Sequence, residues 1–180
     1  MRTAAITLTL LMLASSAVAQ RDKSQRPSQP AEVELALNNK KITIAYSRPR
    51  IRDPKTGQPR KIMGGVVPYG EPWRTGANEA TTFVTEGDLK IGGTPVPKGS
   101  YTLYTIPNEN SWTLIISKKT GQWGIPYPGA KDDLARIPMK VEPLSQTVDP
   151  FTITLERAGA AARLCFAWEN TKACVNVEAP

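Results

Sequence analysis

The sequence predicts an all-β protein, a single antiparallel β-sandwich or jelly-roll-like domain with at most one short helix. Three observations lead there. Apolar residues recur at every second position in short runs, and each run ends at Gly, Pro or Asn. Beyond the N-terminal leader, no stretch keeps an apolar 3.6-residue period for three turns. Eight to ten such strands in one chain of this length require one domain with one core.

The elements follow in order. Residues 1–19 have the form of a secretory signal peptide: Arg2, an apolar run from Ala4 to Leu13, and the small-residue site Ala17-Val18-Ala19, with cleavage expected before Gln20. The apolar run is shorter than the ~20 residues that cross a bilayer. No cysteine sits at the cleavage point to carry a lipid. The expected product is therefore soluble, periplasmic or secreted, with no membrane span after cleavage. Gln20 to Pro30, QRDKSQRPSQP, is polar and broken by proline, so it is expected to be a flexible linker before a domain spanning 31–180.

Val33, Leu35 and Leu37 alternate on a first strand and Ile42, Ile44 and Tyr46 on a second, across an Asn38-Asn39 turn. That turn sets Leu35 opposite Ile42 and Val33 opposite Ile44, which puts the apolar set on one face. The alternation recurs at Phe83 and Thr85, and at Leu89 and Ile91 returning through Gly92-Gly93 to Val96. It continues at Tyr101, Leu103 and Thr105, at Trp112, Leu114 and Ile116, and at Phe151, Ile153 and Leu155. One or two helical turns are expected around Asp132 to Ile137, led by acidic residues that suit a helix N-terminus.

The final pair of strands holds Leu164, Phe166 and Trp168 on one and Ala173, Val175 and Val177 on the other, leaving Cys165 and Cys174 on the opposite face. With Glu169-Asn170 as a two-residue loop the cysteines face each other. With Asn170-Thr171 or the four residues 169–172 as the loop, they are diagonal neighbours. An oxidising compartment favours a structural Cys165–Cys174 disulfide. Two thiols are too few for a metal cage, and there is no C-x-x-C spacing.

Charge and composition exclude several chemistries. The chain holds 23 Lys and Arg against 16 Asp and Glu, a net charge of +7, and no histidine. A Ser-His-Asp triad, a His-ligated metal and a histidine proton relay are all excluded. The serines lie in no G-x-S-x-G elbow and no S-x-x-K word, and there is no Asp/Asn-rich calcium loop. No metal or cofactor is implied, and no catalytic residue is assigned. An enzyme would need paired carboxylates, Glu79 with Asp132, Asp133, Glu142 or Glu169, and nothing in the sequence places two of them together.

Two stretches break the alternation, Arg48 to Ala80 and Thr120 to Pro138, and long irregular connections in a compact domain are more often functional than filler. The densest set of ligand-binding side-chain types is Trp73-Arg74-Thr75-Gly76-Ala77-Asn78-Glu79. Arg74 offers a planar fork for a carboxylate, phosphate or sugar hydroxyl pair, Asn78 and Glu79 can orient a ligand, and Trp73 can stack on one. Gly76 would let the backbone approach a ligand or take positive φ. Equally, Trp73 can plug the core while Arg74 and Glu79 pair to pin the loop. Trp123 and Tyr127 in GQWGIPYPG form either an aromatic rim or a rigid cover for the sandwich end. Arg48, Arg50, Arg52, Arg60 and Lys61 form a basic run, either an attractor of anionic polymers or small anions, or a solvated loop. Glu169 and Asn170 have the plain work of a hairpin tip.

The segment RKIMGGVVPYGEPWRTGANEATTF (60–83), with YTLYTIP (101–107), WTLIISKKTGQWG (112–124), ARIPMKVEPL (135–144) and WENTKACV (168–175), resembles the DUF2911 family of exported bacterial proteins. The resemblance covers nearly all of the chain after the leader. It implies a compact β-rich exported domain and hands over no catalytic residues. The chain departs from the family pattern by its two cysteines and by inserting residues 53–59, which makes the loop after Arg48 unusually basic.

The expectation is therefore an exported binding module for a polar, anionic or glycan-like ligand, held along an edge made by the loops 60–79 and 123–127. The site residues would be Trp73, Arg74, Asn78, Glu79, Trp123 and Tyr127. The partner would be a small molecule, a glycan or an envelope protein; export argues against nucleic acid. The alternatives are a hydrolase or isomerase using Glu79 and Arg74, and a structural or partner-docking envelope protein.

Overall fold

In the computed structural model, residues 23–180 are described; the expected signal peptide and residues 20–22 of the expected linker lie outside the described residues. Asn38 and Asn39, at φ 48° and 60°, join strand β1 (Gln29–Leu37) to β2 (Lys40–Arg48). Two successive left-handed residues are what a tight antiparallel hairpin requires. The resulting register sets Val33 opposite Ile44 and Leu35 opposite Ile42, as the alternation predicts.

The remaining strands are β3 (Thr81–Thr85), β4 (Leu89–Ile91), β5 (Thr94–Val96), β6 (Gly99–Pro107), β7 (Ser111–Ser117), β8 (Asp133–Ala158) and β9 (Ala161–Glu178). All pairings are antiparallel, in the order β1-β2-β3-β6-β7-β8-β9-β4-β5, so the protein is an all-β domain built from one continuous nine-stranded sheet. The sheet doubles over on itself. Its β1–β2 end meets the far half of β8, where Phe151 donates its N–H to Pro49 O (2.9 Å) and Ile153 donates to the Tyr46 hydroxyl (3.0 Å). Between the apposed faces lies one apolar core that draws on every strand, from Leu37, Ile42 and Phe83 to Leu114, Phe151 and Phe166.

β8 and β9 fold back together. Cys165 and Cys174, nine residues apart on β9, have Cα atoms only 4.2 Å apart and are disulfide-bonded. An extended segment of that length would span about 30 Å, so the chain reverses between them. The reversal lies at Glu169, at φ 52°, and the short Cα separation matches cysteines directly opposed across a Glu169-Asn170 turn, not diagonal ones.

Two expectations change. The helix expected at Asp132–Ile137 is a single 3-10 turn at Ala130–Asp132, after which β8 begins at Asp133. Leu114 of β7 pairs with Ile137 there, and the ladder hydrogen bonds outweigh the weak helical signal of two acidic residues. The expected tether is tied down from Lys23 onward: a 3-10 turn at Lys23–Gln25 leads into β1, whose Gln29 and Pro30 pair with Arg48 and Ser47. Among the described residues there is no α-helix, no helix able to cross a membrane, and no group of three carboxylates or cysteines able to hold a metal ion.

Candidate functional site

The irregular stretch between β2 and β3 is rigidly built around Trp73. Its N–H donates to Thr105 O (2.7 Å) and its carbonyl accepts from Thr105 N–H (2.9 Å), stitching the loop to β6. The indole stacks on Trp168 (centroids 5.8 Å, planes 18° apart) and meets Phe151 and Trp112 edge-on at 5.0 and 6.3 Å. Its Nε1–H donates to Gly76 O. Trp73 thus matches the core-plug description, with one face committed to Trp168.

Past Trp73 the chain bends through Thr75, a fully buried β-branched residue at φ 55°. That backbone conformation is costly for such a side chain and persists only where neighbours over-determine it. Here they do. Thr75 Oγ1 bonds Trp73 O and Thr105 Oγ1, and its carbonyl accepts from the Thr81 hydroxyl at 2.7 Å. Gly76 has the expected positive φ, yet a Cβ there would lie 2.9 Å from Ser47 O, so its close approach is to β2 and not to a ligand.

The bend projects Arg74 toward the loop 120–129. Its guanidinium lies over the Trp123 ring at 5.6 Å and its Nη1 donates to Trp123 O at 3.3 Å. Gly124 makes this contact possible, since a Cβ there would lie 2.8 Å from Ala80 Cβ and 2.9 Å from Arg74 Cβ. Trp123 itself is half exposed. Partial burial pulls the Arg74 pKa below its usual value.

The Arg74–Glu79 ion pair considered from the sequence does not form. Glu79 accepts from Arg26 Nη1 at 2.7 Å and lies 3.6 Å from Lys23 Nζ, and the Arg26 contact holds its pKa below the usual carboxylate range. Asn78, at φ 59°, donates to Ser28 O. Both residues therefore anchor the N-terminal segment that sequence patterning treats as a tether. Tyr127 is an anchor too: its hydroxyl donates to Asp133 and accepts from Arg136, while its ring packs edge-on against buried Tyr104. Burial, then the Asp133 contact, push its pKa up to about 12.

Trp73 and Arg74 line a cleft of about 470 Å³, and Trp123 stacks at its Arg74 edge. Arg50, Arg52 and Arg60 line the same cleft, with Asp53 as the one carboxylate among its described residues. Trp168, Val66 and Ile125 supply apolar wall, and Pro27 and Ser28 of the anchored N-terminal segment close one side. The six expected site residues thus divide. Three gather at the cleft, Asn78 holds the Ser28 wall from behind, and Glu79 and Tyr127 belong elsewhere. Of the basic run, Arg48 is spent inside the fold on Phe151 O and Thr152 Oγ1. Glu169, at the hairpin tip, accepts from the N–H groups of Ile62 and Met63 and so fastens the floor of the loop.

Sequence reasoning did not place Arg50, Arg52 or Trp168 in this site, and it included the 123–127 loop without singling out Ile125. The arginines carried a signal as part of the basic run. Trp168 carried none, because its alternation with Phe166 marks a core residue and not its neighbour across the sheet.

A second cavity of about 570 Å³ lies on the other side of the anchored segment, lined by Lys23, Glu32, Tyr46, Glu79 and Gln122 among others. Its charges are largely satisfied internally, since Lys23 and Glu79 face each other.

No curated protein and no solved structure matches this chain. Residues 28–177, nearly the whole described domain, match the family DUF2911, whose description is a protein of unknown function, and the chain belongs to that family.

Proposed function

We propose that this protein is an exported binding domain whose polar ligand, anionic or glycan-like, occupies the cleft between the loops 50–60, 60–79 and 123–127. The observation that carries this is four arginines gathered with one carboxylate around a concavity with tryptophan in its wall. Small-ligand sites take this form: a mostly apolar hollow with a few placed polar groups. The strained, over-bonded Thr75 beneath Arg74 supports it, because such backbone conformations gather at binding sites. The signal-peptide-like pattern of residues 1–19 supports a periplasmic or secreted location.

A thermal-shift and pull-down survey of envelope glycans and organic anions tests the proposal. The expected result is a ligand that raises the melting temperature of the wild type and does so far less for Arg74→Ala, with both proteins first shown to melt cooperatively without ligand. Undiminished binding by Arg74→Ala would remove the clamp assignment.

A second reading, docking of an envelope protein on the same mouth, is favoured by the exposure there of Ile125 (66%) and Val66 (49%). It would appear in the survey as a protein partner sensitive to Ile125→Ser. The hydrolase or isomerase alternative gains less. Glu32 shares a cavity with Glu79, but the Arg26 and Lys23 cations lower the Glu79 pKa, whereas a general acid needs it raised.

A further inference from the structure

Resting on that binding reading, we infer that the ligand of the arginine cleft is an amphipathic organic anion, an acidic oxyanion head joined to a flat apolar body. The head group follows from which donors remain free. Arg60 is committed: Nε donates to Ile51 O (3.2 Å), Nη2 to Arg50 O (2.7 Å), and Nη1 faces Asp53 Oδ2 at 3.7 Å. Asp53 is committed as well, with Oδ1 accepting from the N–H groups of Lys55 and Thr56, which hold its pKa below the usual range. The one carboxylate of the cleft is therefore matched to the one arginine that braces the loop.

Three guanidinium groups, those of Arg50, Arg52 and Arg74, have no ion-pair partner among the described residues, and Glu79 acts on Arg74 only at longer range. Arg52 has only Nη1 engaged, on Gly57 O, and Arg74 only Nη1, on Trp123 O. The Arg50 side chain has no hydrogen bond or ion pair among the described residues. Planar forks of this kind pair best with carboxylate, sulfonate or phosphate oxygens.

The body follows from the walls. The stacked Trp168–Trp73 pair closes the base of the cleft with Trp168 buried, and the accessible apolar surface is that of the exposed Val66 and Ile125 at the mouth. A bare inorganic anion would leave this surface wetted, and a neutral hydrocarbon would strip water from three unpaired cations. Only a molecule bearing both features satisfies both walls. The cleft volume suits one small organic molecule, because such sites span about 300–1,000 Å³. The Trp73 Nε1–H is used by Gly76 O, while Trp168 Nε1 is buried with no acceptor among the described residues.

The test uses the chain lacking its leader and three probes in calorimetric titration: naphthalene-1-sulfonate, the neutral 1-naphthalenemethanol, and inorganic sulfate. The sulfonate is expected to bind at one site, with the neutral ring and the bare ion each at least about tenfold weaker. Replacing the solvent-exposed Arg50 and Arg52 together by alanine is expected to weaken the sulfonate by about tenfold or more and to leave the neutral ring unchanged. Equal binding of sulfonate and neutral ring, equal binding of sulfonate and sulfate, or an unaltered double variant would each overturn the inference. Absence of saturable sulfonate binding would overturn it as well. In that case a glycan whose thermal shift still depends on Arg74 would preserve the binding site and remove only this ligand class.

Discussion

Glu79 and its two cations tie the N-terminal segment to the domain, and the contribution of that tie depends on pH. Its carboxyl pKa is lowered in the folded protein, chiefly by Arg26, so the stabilisation is complete above the unfolded value of 4.5 and is lost as pH falls below it. Because the carboxylate is 43% exposed, the effect is about 1 kcal/mol or less. Glu79→Gln is therefore expected to melt slightly below the wild type at neutral pH, and the gap should close in acid; a gap that widens in acid would contradict the assignment. Trp168, 1% exposed and stacked on Trp73, contributes far more. Trp168→Ala should cost about 3–5 kcal/mol in chemical denaturation, the range for truncating a buried aromatic side chain.

The β9 turn is closed by the Cys165–Cys174 disulfide, which encloses a loop of about ten residues and on chain-entropy grounds stabilises by about 2–3 kcal/mol. Reduction, or Cys165→Ser with Cys174→Ser, should lower the denaturation midpoint accordingly while the strand signal in circular dichroism persists. Gly124 is the corresponding element of the cleft rim. Gly124→Ala, at φ 95° with two side chains inside 3 Å of the new Cβ, should destabilise by about 1–3 kcal/mol and separate Trp123 from Arg74. Quenching of Trp123 fluorescence by iodide would report that separation as an increase. Strands were legible because period-two alternation with Gly, Pro and Asn stops is a local signal, and the β1–β2 and β4–β5 registers follow from their turns. The start of β8 was not: Asp133–Ile137 takes its conformation from the β7 ladder, a partner that alternation does not name.

Across the molecule, the same division explains which part of the site could be read in advance. The side-chain types at 73–79 and 123–127 announce binding chemistry, yet their sorting depends on contacts between distant segments. Arg26 captures Glu79 across 53 residues, and Trp123 captures Arg74 across 49. No pattern within a strand or loop encodes such captures. Folding the sheet over brings the basic loop after β2, the Trp73 bend and the Ile125 loop around one hollow, the proposed binding site. The decisive measurement is a crystal structure of the domain with a ligand taken from the thermal-shift survey at saturating concentration. The expected result is the ligand between Trp73, Arg74 and Ile125 with its oxygens on Arg50 or Arg52. A ligand seated instead beside Lys23, Glu79 and Gln122, with the arginine cleft empty, would contradict it.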